Sequence, residues 1–312
     1  MATITQLNPR QRPRTIANEL DAFLTDAEDR RGLSHNTLTA YRCDLTAAAS
    51  GLPQSIDAIT LVEVESFLLS RRESKATYNR RIASLRQFFR WTQRMGYRPD
   101  NPVDLVEAKR DDEKLPRPIK RSDLKALDRA IAAASQPYRL ILTILRETGM
   151  RADEALSLNV GDVVLDRGRE GLLVREAKNN HQRMVVLTPD VMPKTLTGLR
   201  SWLHELGDRA PATSPLFCSN RGTRVAYDTL HYHWVELCRA EKLVDVVNDI
   251  EQHRYTIHQL RHTVASELIK TYPEQIVSRM LGHRDPRSTR RYAEVNEDQL
   301  RAALATRQPT RG

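Results

Sequence analysis

The segment 255–269, YTIHQLRHTVASELI, indicates both the fold and the chemistry of the second half of this chain. Thr256 and Gln259 occupy the two ends of a capping-box pattern, which predicts that a helix begins directly after Thr256. His258 and Arg261 then lie three residues apart, so they share one helix face close to the N-terminal end. Because the unpaired backbone N–H groups at that end attract anions, we expect this face to bind a phosphate.

A second segment, 139–158, carries the sequence RLILTILRETGMRADEALSL. An apolar helix is predicted to end at Gly149, and the next helix begins almost at once. Arg151 therefore lies at a helix N-terminus, and Glu154 follows it by one turn, close enough to orient its guanidinium group. An arginine held in this way suits phosphate oxygens, since its planar fork stays charged and donates two parallel hydrogen bonds.

A β-hairpin is predicted between these two segments. The runs GLLVRE (171–176) and RMVVLT (183–188) are rich in β-branched residues, and Asn179-Asn180 suits a tight turn between them. Lys178 lies in this predicted turn. A lysine in a hairpin turn is ordinarily a solubilising residue, so its position alone does not indicate a function.

The fourth segment, 276–295, carries the sequence IVSRMLGHRDPRSTRRYAEV. Gly282 is predicted to end a helix, which puts His283 just beyond that end. The Asp-Pro pair at 285–286 then provides the N-cap and the first residue of another helix. Tyr292 lies on this helix, nine residues after His283.

The order and spacing of these motifs resemble the tyrosine recombinase, or phage integrase, family. The resemblance rests on TGMRADEAL, the hairpin lysine Lys178, HQLRH, LGH and a tyrosine nine residues after that last histidine. The N-terminal sequences SHNTLTAYRCDL and RRIASLRQFFRW also look like the family's helical core-binding domain. No arm-binding domain is recognisable before residue 12, so the layout resembles the simpler Xer-like members. Ser288-Thr289 replaces the usual Thr-Thr, which is a slight departure.

This resemblance implies a site-specific DNA recombinase that cleaves and rejoins strands through a 3′-phosphotyrosyl intermediate. It implies no requirement for ATP, a metal or another cofactor. The implied partners are double-stranded DNA with specific recombination sites and further copies of the chain, as a dimer on one site and a tetramer in the synapse. We therefore expect a cytoplasmic, nucleoid-associated protein with no membrane partner. The DNA sequence and the biological role are left open.

Six residues match the family's catalytic positions: Tyr292, Arg151, Lys178, His258, Arg261 and His283. By this resemblance Tyr292 is the nucleophile and Lys178 protonates the leaving 5′-oxygen, while the arginines and histidines stabilise charge on the phosphate. Glu154 and His262 are expected to support these groups. No metal ligand is expected. The group that accepts the tyrosine proton is left open, with His258 as one candidate.

Apolar spacing predicts four helices in the first hundred residues, which would form a bundle with its own core. The first is expected to stop near Gly32, and the second to run from a Ser34 cap to Gly51. The third is expected to begin with a capping box at Thr60, and the fourth to end at Gly96.

The chain is therefore predicted to be mainly α with a small antiparallel β-sheet, an α+β protein. By the resemblance, an N-terminal helical core-binding bundle and a C-terminal catalytic domain form a clamp around DNA. The charged, proline-containing run EAKRDDEKLPRPIKR predicts a linker between them. The predicted boundaries are a disordered tail (1–12), the core-binding domain (13–106), the linker (107–121), the catalytic domain (122–295) and a C-terminal helix for protomer contact (296–312).

The segment 71–98 contains nine Lys or Arg and one acid, which is nearly the whole of the chain's formal net charge of +9. A solvated helix face usually alternates in sign, because like charges one turn apart repel each other. We therefore predict that this segment contacts DNA or RNA, whose phosphates would supply the counter-charge; the family resemblance favours DNA. The predicted contact residues are Arg80, Arg81, Arg86, Arg90 and Arg94.

Composition excludes several other classes of protein. Three widely spaced cysteines exclude a disulfide framework and a zinc ribbon, and the chain has neither a long apolar run nor the core of a signal peptide.

Three alternative functions stay open at this point. A type IB topoisomerase would use the same chemistry to relax DNA, and a DNA-binding protein of the same fold would lack catalysis. A zinc hydrolase would use His258 and His262, which have the i, i+4 spacing of an HExxH motif, although Gln259 stands where that motif needs glutamate.

Overall fold

A computed structural model of the chain describes residues 13–110, 117–176, 181–207, 210–247 and 250–282. Within these ranges the backbone is mainly helical, with two small antiparallel sheets, which confirms the predicted α+β class. The chain divides into two compact units, Met1–Glu113 and Lys114–Gly312. None of the helices in the described ranges combines the length and the apolar character that crossing a bilayer requires.

The first unit is a bundle of four helices, α1 (Ile16–Arg31), α2 (His35–Gly51), α3 (Leu61–Ser70) and α4 (Lys75–Arg94). Three of them begin at hydroxyl side chains, since Thr15, Ser34 and Ser74 each accept a hydrogen bond from a backbone N–H in the first turn. At the end of α1, Gly32 adopts the left-handed conformation that closes a helix. These local signals place the helices close to the positions predicted from the sequence.

The core of this bundle is aromatic. Phe23 from α1 lies 5.5 Å from Phe88 and 5.8 Å from Trp91, measured between ring centroids, and both of these contacts are edge-to-face. Phe88 also meets Phe89 edge-to-face at 5.4 Å. Such pairs contribute beyond the area they bury, so α1 and α4 are held together mainly by these rings.

A buried carboxylate joins α2 to α4. Asp44 is fully buried and accepts hydrogen bonds from Arg80 at 2.9 Å and from Ser84 at 2.7 Å. Arg81, which is 5% exposed, approaches the other oxygen of Asp44 at 3.8 Å and donates to Glu73 at 2.8 Å. A buried charge is tolerated only with partners of this kind, so the network sets how α2 and α4 pack.

The second unit contains seven helices and five strands within the described ranges. They are α5 (Arg121–Ala133), α6 (Tyr138–Thr148), α7 (Ala152–Ser157), β1 (Val163–Val164), β2 (Gly171–Glu176), β3 (His181–Val186), α8 (Pro193–Leu206), α9 (Tyr227–Ala240), β4 (Val244–Val247), β5 (Ile250–His253), α10 (Ile257–Leu268) and α11 (Glu274–Leu281). Helix α6 lies at the centre, in contact with α5, α7, α8 and α10, and most of its apolar side chains are buried. The neighbouring helices therefore pack around α6.

The packed part of this unit begins before α5. Ile119 lies within the segment predicted as a linker, yet it is buried in the core of the second unit. Its backbone N–H donates to the Thr263 hydroxyl of α10 at 2.9 Å. The segment 107–121 is therefore anchored to the second unit by Ile119, which its charged, proline-containing composition does not indicate.

The first sheet contains the predicted hairpin. Strands β2 and β3 pair from Gly171 opposite Val186 to Glu176 opposite His181, so β3 begins two residues earlier than the sequence indicated. Strand β1 adds to the other edge of β2.

The second sheet, β4 with β5, was not predicted. Its residues are mostly exposed, so the sequence lacks the apolar–polar alternation of a half-buried strand.

We predict that Asp44→Ala destabilises the first unit by about 1–3 kcal/mol, because buried donors on α4 lose their acceptor. Hydrogen exchange measured by mass spectrometry should show reduced protection in α2 and α4 and unchanged protection in α6. Asp21→Ala is the matched control, since Asp21 is exposed and pairs with Arg42 at the surface. Equal effects of the two variants would contradict the assigned role of Asp44.

Candidate active site

The turn between α6 and α7 places Arg151. Gly149 ends α6 with φ 67°, and Arg151 is the N-cap residue of α7. A β-carbon at Gly149 would lie 2.8 Å from Leu281 and 2.9 Å from Val264, so only glycine fits there without displacing its neighbours. The left-handed conformation of the glycine allows α7 to start at Ala152, three residues later, with Arg151 at its N-terminal end.

Glu154 holds Arg151 in this position. Its carboxylate accepts a hydrogen bond from the Arg151 backbone N–H at 2.8 Å and another from the Arg151 guanidinium at 2.9 Å. Arg183, from β3, donates to the same carboxylate at 2.7 Å. Burial by itself would raise the pKa of Glu154, but the charge of Arg183, the Arg151 N–H and the charge of Arg151 together hold that pKa below its ordinary value. Glu154 is therefore an ionised, buried ligand of two arginines.

Arg261 lies on α10 and is 3% exposed. Its Nη1 donates to the carbonyl of Gly149 and its Nη2 to the carbonyl of Leu281, each at 2.8 Å. These carbonyls lie at the C-terminal ends of α6 and α11, where a cation is electrostatically favoured. Arg261 thereby joins the turn that leads to Arg151 and the turn that leads to His283.

The N-terminal end of α10 is closed as the sequence predicts. The Gln259 side chain accepts from the Thr256 backbone N–H at 2.8 Å and donates to the carbonyl of Arg117 at 3.0 Å. His258 and His262 then lie on one face, with their rings perpendicular and 4.7 Å apart.

Both histidines favour the neutral form. Desolvation lowers the pKa of His258, and the positive charges of Arg261 and Arg151 lower it further. Desolvation, with smaller contributions from His258 and Arg261, lowers the pKa of His262 to about 4. At neutral pH the face therefore presents two uncharged imidazoles, which can accept as well as donate hydrogen bonds.

Arg261 donates to the carbonyl of Gly149, two residues before Arg151, and His258 lies one turn before Arg261 on α10. The structure thus brings together Arg151, His258 and Arg261, with Glu154 and His262 beside them. Two guanidinium groups next to a helix N-terminus concentrate positive charge and hydrogen-bond donors, which is the chemistry that a phosphodiester requires.

Three of the predicted catalytic residues, Lys178, His283 and Tyr292, lie outside the described residues. The described chain stops at Glu176 before the first of them and at Gly282 before the other two. Their roles stay predictions.

Arg183 is not among the site residues predicted from the sequence, although its guanidinium donates to the carboxylate of Glu154. A signal was present: Arg183 occupies the same face of β3 as the buried residues Val185 and Leu187. A charged residue on the inward face of a strand needs a buried partner, and here that partner is Glu154.

The arginines of the basic helix α4 occupy different surroundings. Arg81 is buried against Glu73 and Asp44, and Arg86 donates to the carbonyls of Val103 and Val106. Arg81 and Arg86 therefore make contacts inside the first unit, and their contact with DNA stays a prediction.

The other three predicted contacts are more accessible. Arg80 and Arg94 are half exposed and pair with Asp44 and Asp26. Arg90 is exposed and has no hydrogen-bond or ion-pair partner within the described part of the chain. The net charge of the segment 71–98 does not include Asp44 and Asp26, because these acids lie on α2 and α1.

Two family models match the chain. One, described as the phage integrase family, matches residues 119–299, and the other, described as the phage integrase N-terminal SAM-like domain, matches residues 20–96. The first covers more than half of the chain and contains every catalytic position predicted from the motifs.

Curated relatives align over nearly the whole length. Tyrosine recombinase XerC of Alcanivorax borkumensis is 28% identical over 292 residues, which cover 90% of this chain and 90% of the relative. Tyrosine recombinase XerD of Yersinia pestis is 28% identical over 296 residues, covering 90% of this chain and 94% of the relative.

Solved structures share the fold. The XerH site-specific recombinase bound to palindromic difH substrate superimposes with a TM-score of 0.69 at 21% identity, over 93% of this chain and 84% of that one. A lambda integrase tetramer bound to a Holliday junction superimposes with a TM-score of 0.68 at 19% identity, over 90% and 78%.

We predict that the His262 imidazole protonates near pH 4, because desolvation favours its neutral form. Folding then lowers a pKa that is about 6.5 in the unfolded chain. Between these two values the unfolded state binds more protons, so stability falls as the pH is lowered through this range. Nuclear magnetic resonance titration of the imidazole measures the pKa directly, and protonation above pH 6 would contradict the environment described.

Proposed function

Because this chain belongs to the phage integrase family and is a tyrosine site-specific recombinase, we propose that Tyr292 cleaves DNA by attacking a backbone phosphodiester. The family prediction made from the sequence motifs is confirmed by the match to residues 119–299. The phenolic oxygen forms a bond to phosphorus, and the 5′-oxygen leaves, which produces a 3′-phosphotyrosyl link and a free 5′-hydroxyl. A second strand's 5′-hydroxyl reverses this step and releases the tyrosine.

Arg151 and Arg261 bind the non-bridging oxygens of the phosphate in this proposal. The observation that carries it is the pair of rigid arginines beside a helix N-terminus, one held by Glu154 and one by two backbone carbonyls. Donors that are fixed before the reaction stabilise the developing charge without reorganisation.

Proton transfers are assigned to the remaining residues. Lys178 donates a proton to the leaving 5′-oxygen, and His258, whose lowered pKa keeps it neutral, accepts the proton of Tyr292. His283 donates a further hydrogen bond to the phosphate. The phosphotyrosyl ester conserves the free energy of the broken phosphodiester bond, so rejoining the strands requires no ATP. Side chains perform the charge stabilisation and the proton transfers in this proposal, so it uses no metal.

We further propose that both units bind double-stranded DNA. In the first unit the accessible cations on α4 are Arg80, Arg90 and Arg94, and their attraction to phosphates makes binding sensitive to salt. The relatives XerC and XerD, and the DNA-bound XerH and lambda integrase structures, support this assignment by analogy.

The active assembly in this proposal is a dimer on one DNA site and a tetramer in the synapse. Exchange between two duplexes breaks four strands, so four active sites are needed. The C-terminal segment 296–312 carries Leu300, Ala303 and Leu304 at helical spacing, and we propose that it docks on a neighbouring protomer.

We predict that Tyr292→Phe binds DNA with unchanged affinity but forms no covalent adduct on a nicked suicide substrate, because the nucleophilic oxygen is absent. Denaturing gel electrophoresis of the protein–DNA adduct provides the measurement. Tyr272→Phe is the matched control and should give the wild-type yield, since Tyr272 is an exposed tyrosine outside the motifs. Adduct formation by Tyr292→Phe at the wild-type level would eliminate Tyr292 as the nucleophile.

We also predict that truncation after Val295 leaves binding to a single site intact and abolishes recombination between two sites. The expected cause is loss of the contact between protomers. Gel mobility shifts report binding, and a two-site plasmid assay reports recombination. An unchanged recombination rate would show that the segment is dispensable for assembly.

The same assays separate the alternative functions. A type IB topoisomerase would relax a supercoiled plasmid without exchanging two sites, and a non-catalytic protein would form no adduct. A zinc hydrolase would lose activity in excess chelator, whereas the proposed reaction would not.

A further inference from the structure

The guanidinium of Arg183 lies in an unusual environment for a strand residue. It is largely buried, and its Nη2 donates to Glu154 at 2.7 Å. Among the described residues, its Nε and Nη1 are buried without a hydrogen-bond partner. A desolvated cation is costly unless a counter-charge compensates it, so the ion pair with Glu154 is what keeps Arg183 in place.

The turn before His283 packs directly against this guanidinium. Gly282 ends α11 with φ 68°. A β-carbon at Gly282 would lie 2.3 Å from Nε and 2.7 Å from Cζ of Arg183, so the backbone of the turn lies against the cation. Arg183 therefore contacts, in one side chain, both the carboxylate that holds Arg151 and the turn that leads to His283 and Tyr292.

The charge of Arg183 allows Glu154 to hold Arg151 without neutralising its positive charge. A buried carboxylate with one cation would form a one-to-one pair and would neutralise Arg151. With two cations the cluster of Arg151, Arg183 and Glu154 keeps a net positive charge. Arg151 can then be oriented by Glu154 and still attract a phosphate.

We propose that Arg183 is a positioning residue, which orients Arg151 through the shared carboxylate of Glu154 and supports the Gly282 turn that precedes His283. This inference rests on the proposed recombinase function. Arg183 acts through Glu154 and the turn, so it belongs to the site without binding the reacting phosphate.

The test uses Arg183→Met in the full-length chain, with cleavage of a nicked suicide substrate and DNA affinity measured separately. We expect unchanged affinity and a cleavage rate about 10–100-fold lower, the range typical of groups that orient a ligand. Arg183→Lys should recover part of the rate, because it restores the charge without the planar fork.

The dependence on pH distinguishes positioning from simple stabilisation. Arg183 is the strongest of the groups that lower the pKa of Glu154. Arg183→Met removes this contribution, so the pKa of Glu154 rises relative to the wild type and the carboxylate becomes protonated at a higher pH, which releases Arg151. Cleavage by the variant should therefore decline on the acidic side where the wild type does not. The double variant Arg183→Met, Glu154→Gln should lack this decline, since no carboxyl remains to titrate.

A matched control is available on the partner strand. Arg175 lies on β2 opposite Gln182, the residue that precedes Arg183. Its guanidinium pairs with the buried carboxylate of Asp162 at 2.6 Å. It makes no contact with Glu154 within the described residues. Arg175→Met should keep the wild-type pH profile, even if it alters the melting temperature.

Two outcomes would overturn the inference. One is a pH profile of Arg183→Met that matches the wild type, and the other is an equal loss of cleavage in Arg175→Met. If the wild-type chain itself forms no adduct, the proposed function fails, and the titration of the Glu154 carboxyl by carbon-detected nuclear magnetic resonance still tests the inference. An unchanged Glu154 pKa in Arg183→Met would then reject it.

Discussion

The arrangement of the candidate site depends on the buried guanidinium of Arg261. Its two hydrogen bonds reach the carbonyl of Gly149 at the end of α6 and the carbonyl of Leu281 at the end of α11. One side chain thereby holds α6 to the consecutive helices α10 and α11. Because these carbonyls have no intrahelical donors of their own, the cation satisfies groups that would otherwise lack partners in the interior.

A balance of charge surrounds this centre. Glu154 is shared by Arg151 and Arg183, and the two histidines of α10 are kept neutral by desolvation and by the nearby arginines. Among the described residues of the site, positive charge therefore remains on the arginines, and the imidazoles provide hydrogen bonds without adding repulsion. In the proposed function, a phosphodiester supplies the negative charge that these residues leave uncompensated.

The first unit uses arginine in two ways. Arg81 pairs with acidic side chains and Arg86 donates to backbone carbonyls inside the bundle, whereas Arg90 is exposed. The sequence window that predicted a uniformly DNA-facing stripe could not separate these uses. The counter-charges Asp44 and Asp26 belong to other helices, and only the packing of α1 and α2 against α4 brings them within reach.

Local chemistry explains why so much of the architecture was readable from the sequence. Ser34 caps α2, Thr60 opens α3, Gly32, Gly149 and Gly282 end helices, and Thr256 with Gln259 opens α10, since each signal acts within one turn of the chain. The hairpin of β2 and β3 was also readable, because one face is buried. The hairpin of β4 and β5 was not readable, because its strands are mostly exposed. Apolar and polar residues alternate along a strand only when one of its faces is buried.

The candidate site divides in the same way. The identity of Arg151, Glu154, His258, Arg261 and His262 followed from motifs in the chain, and so did the family, because those motifs are short and keep their spacing. Only the tertiary structure decided that Arg183 shares Glu154, that Arg261 spans two helix ends, and that Arg81 faces inward. The reason is physical: helix caps and turns are determined by neighbours in sequence, whereas the partner of a buried charge is determined by whatever the fold packs against it.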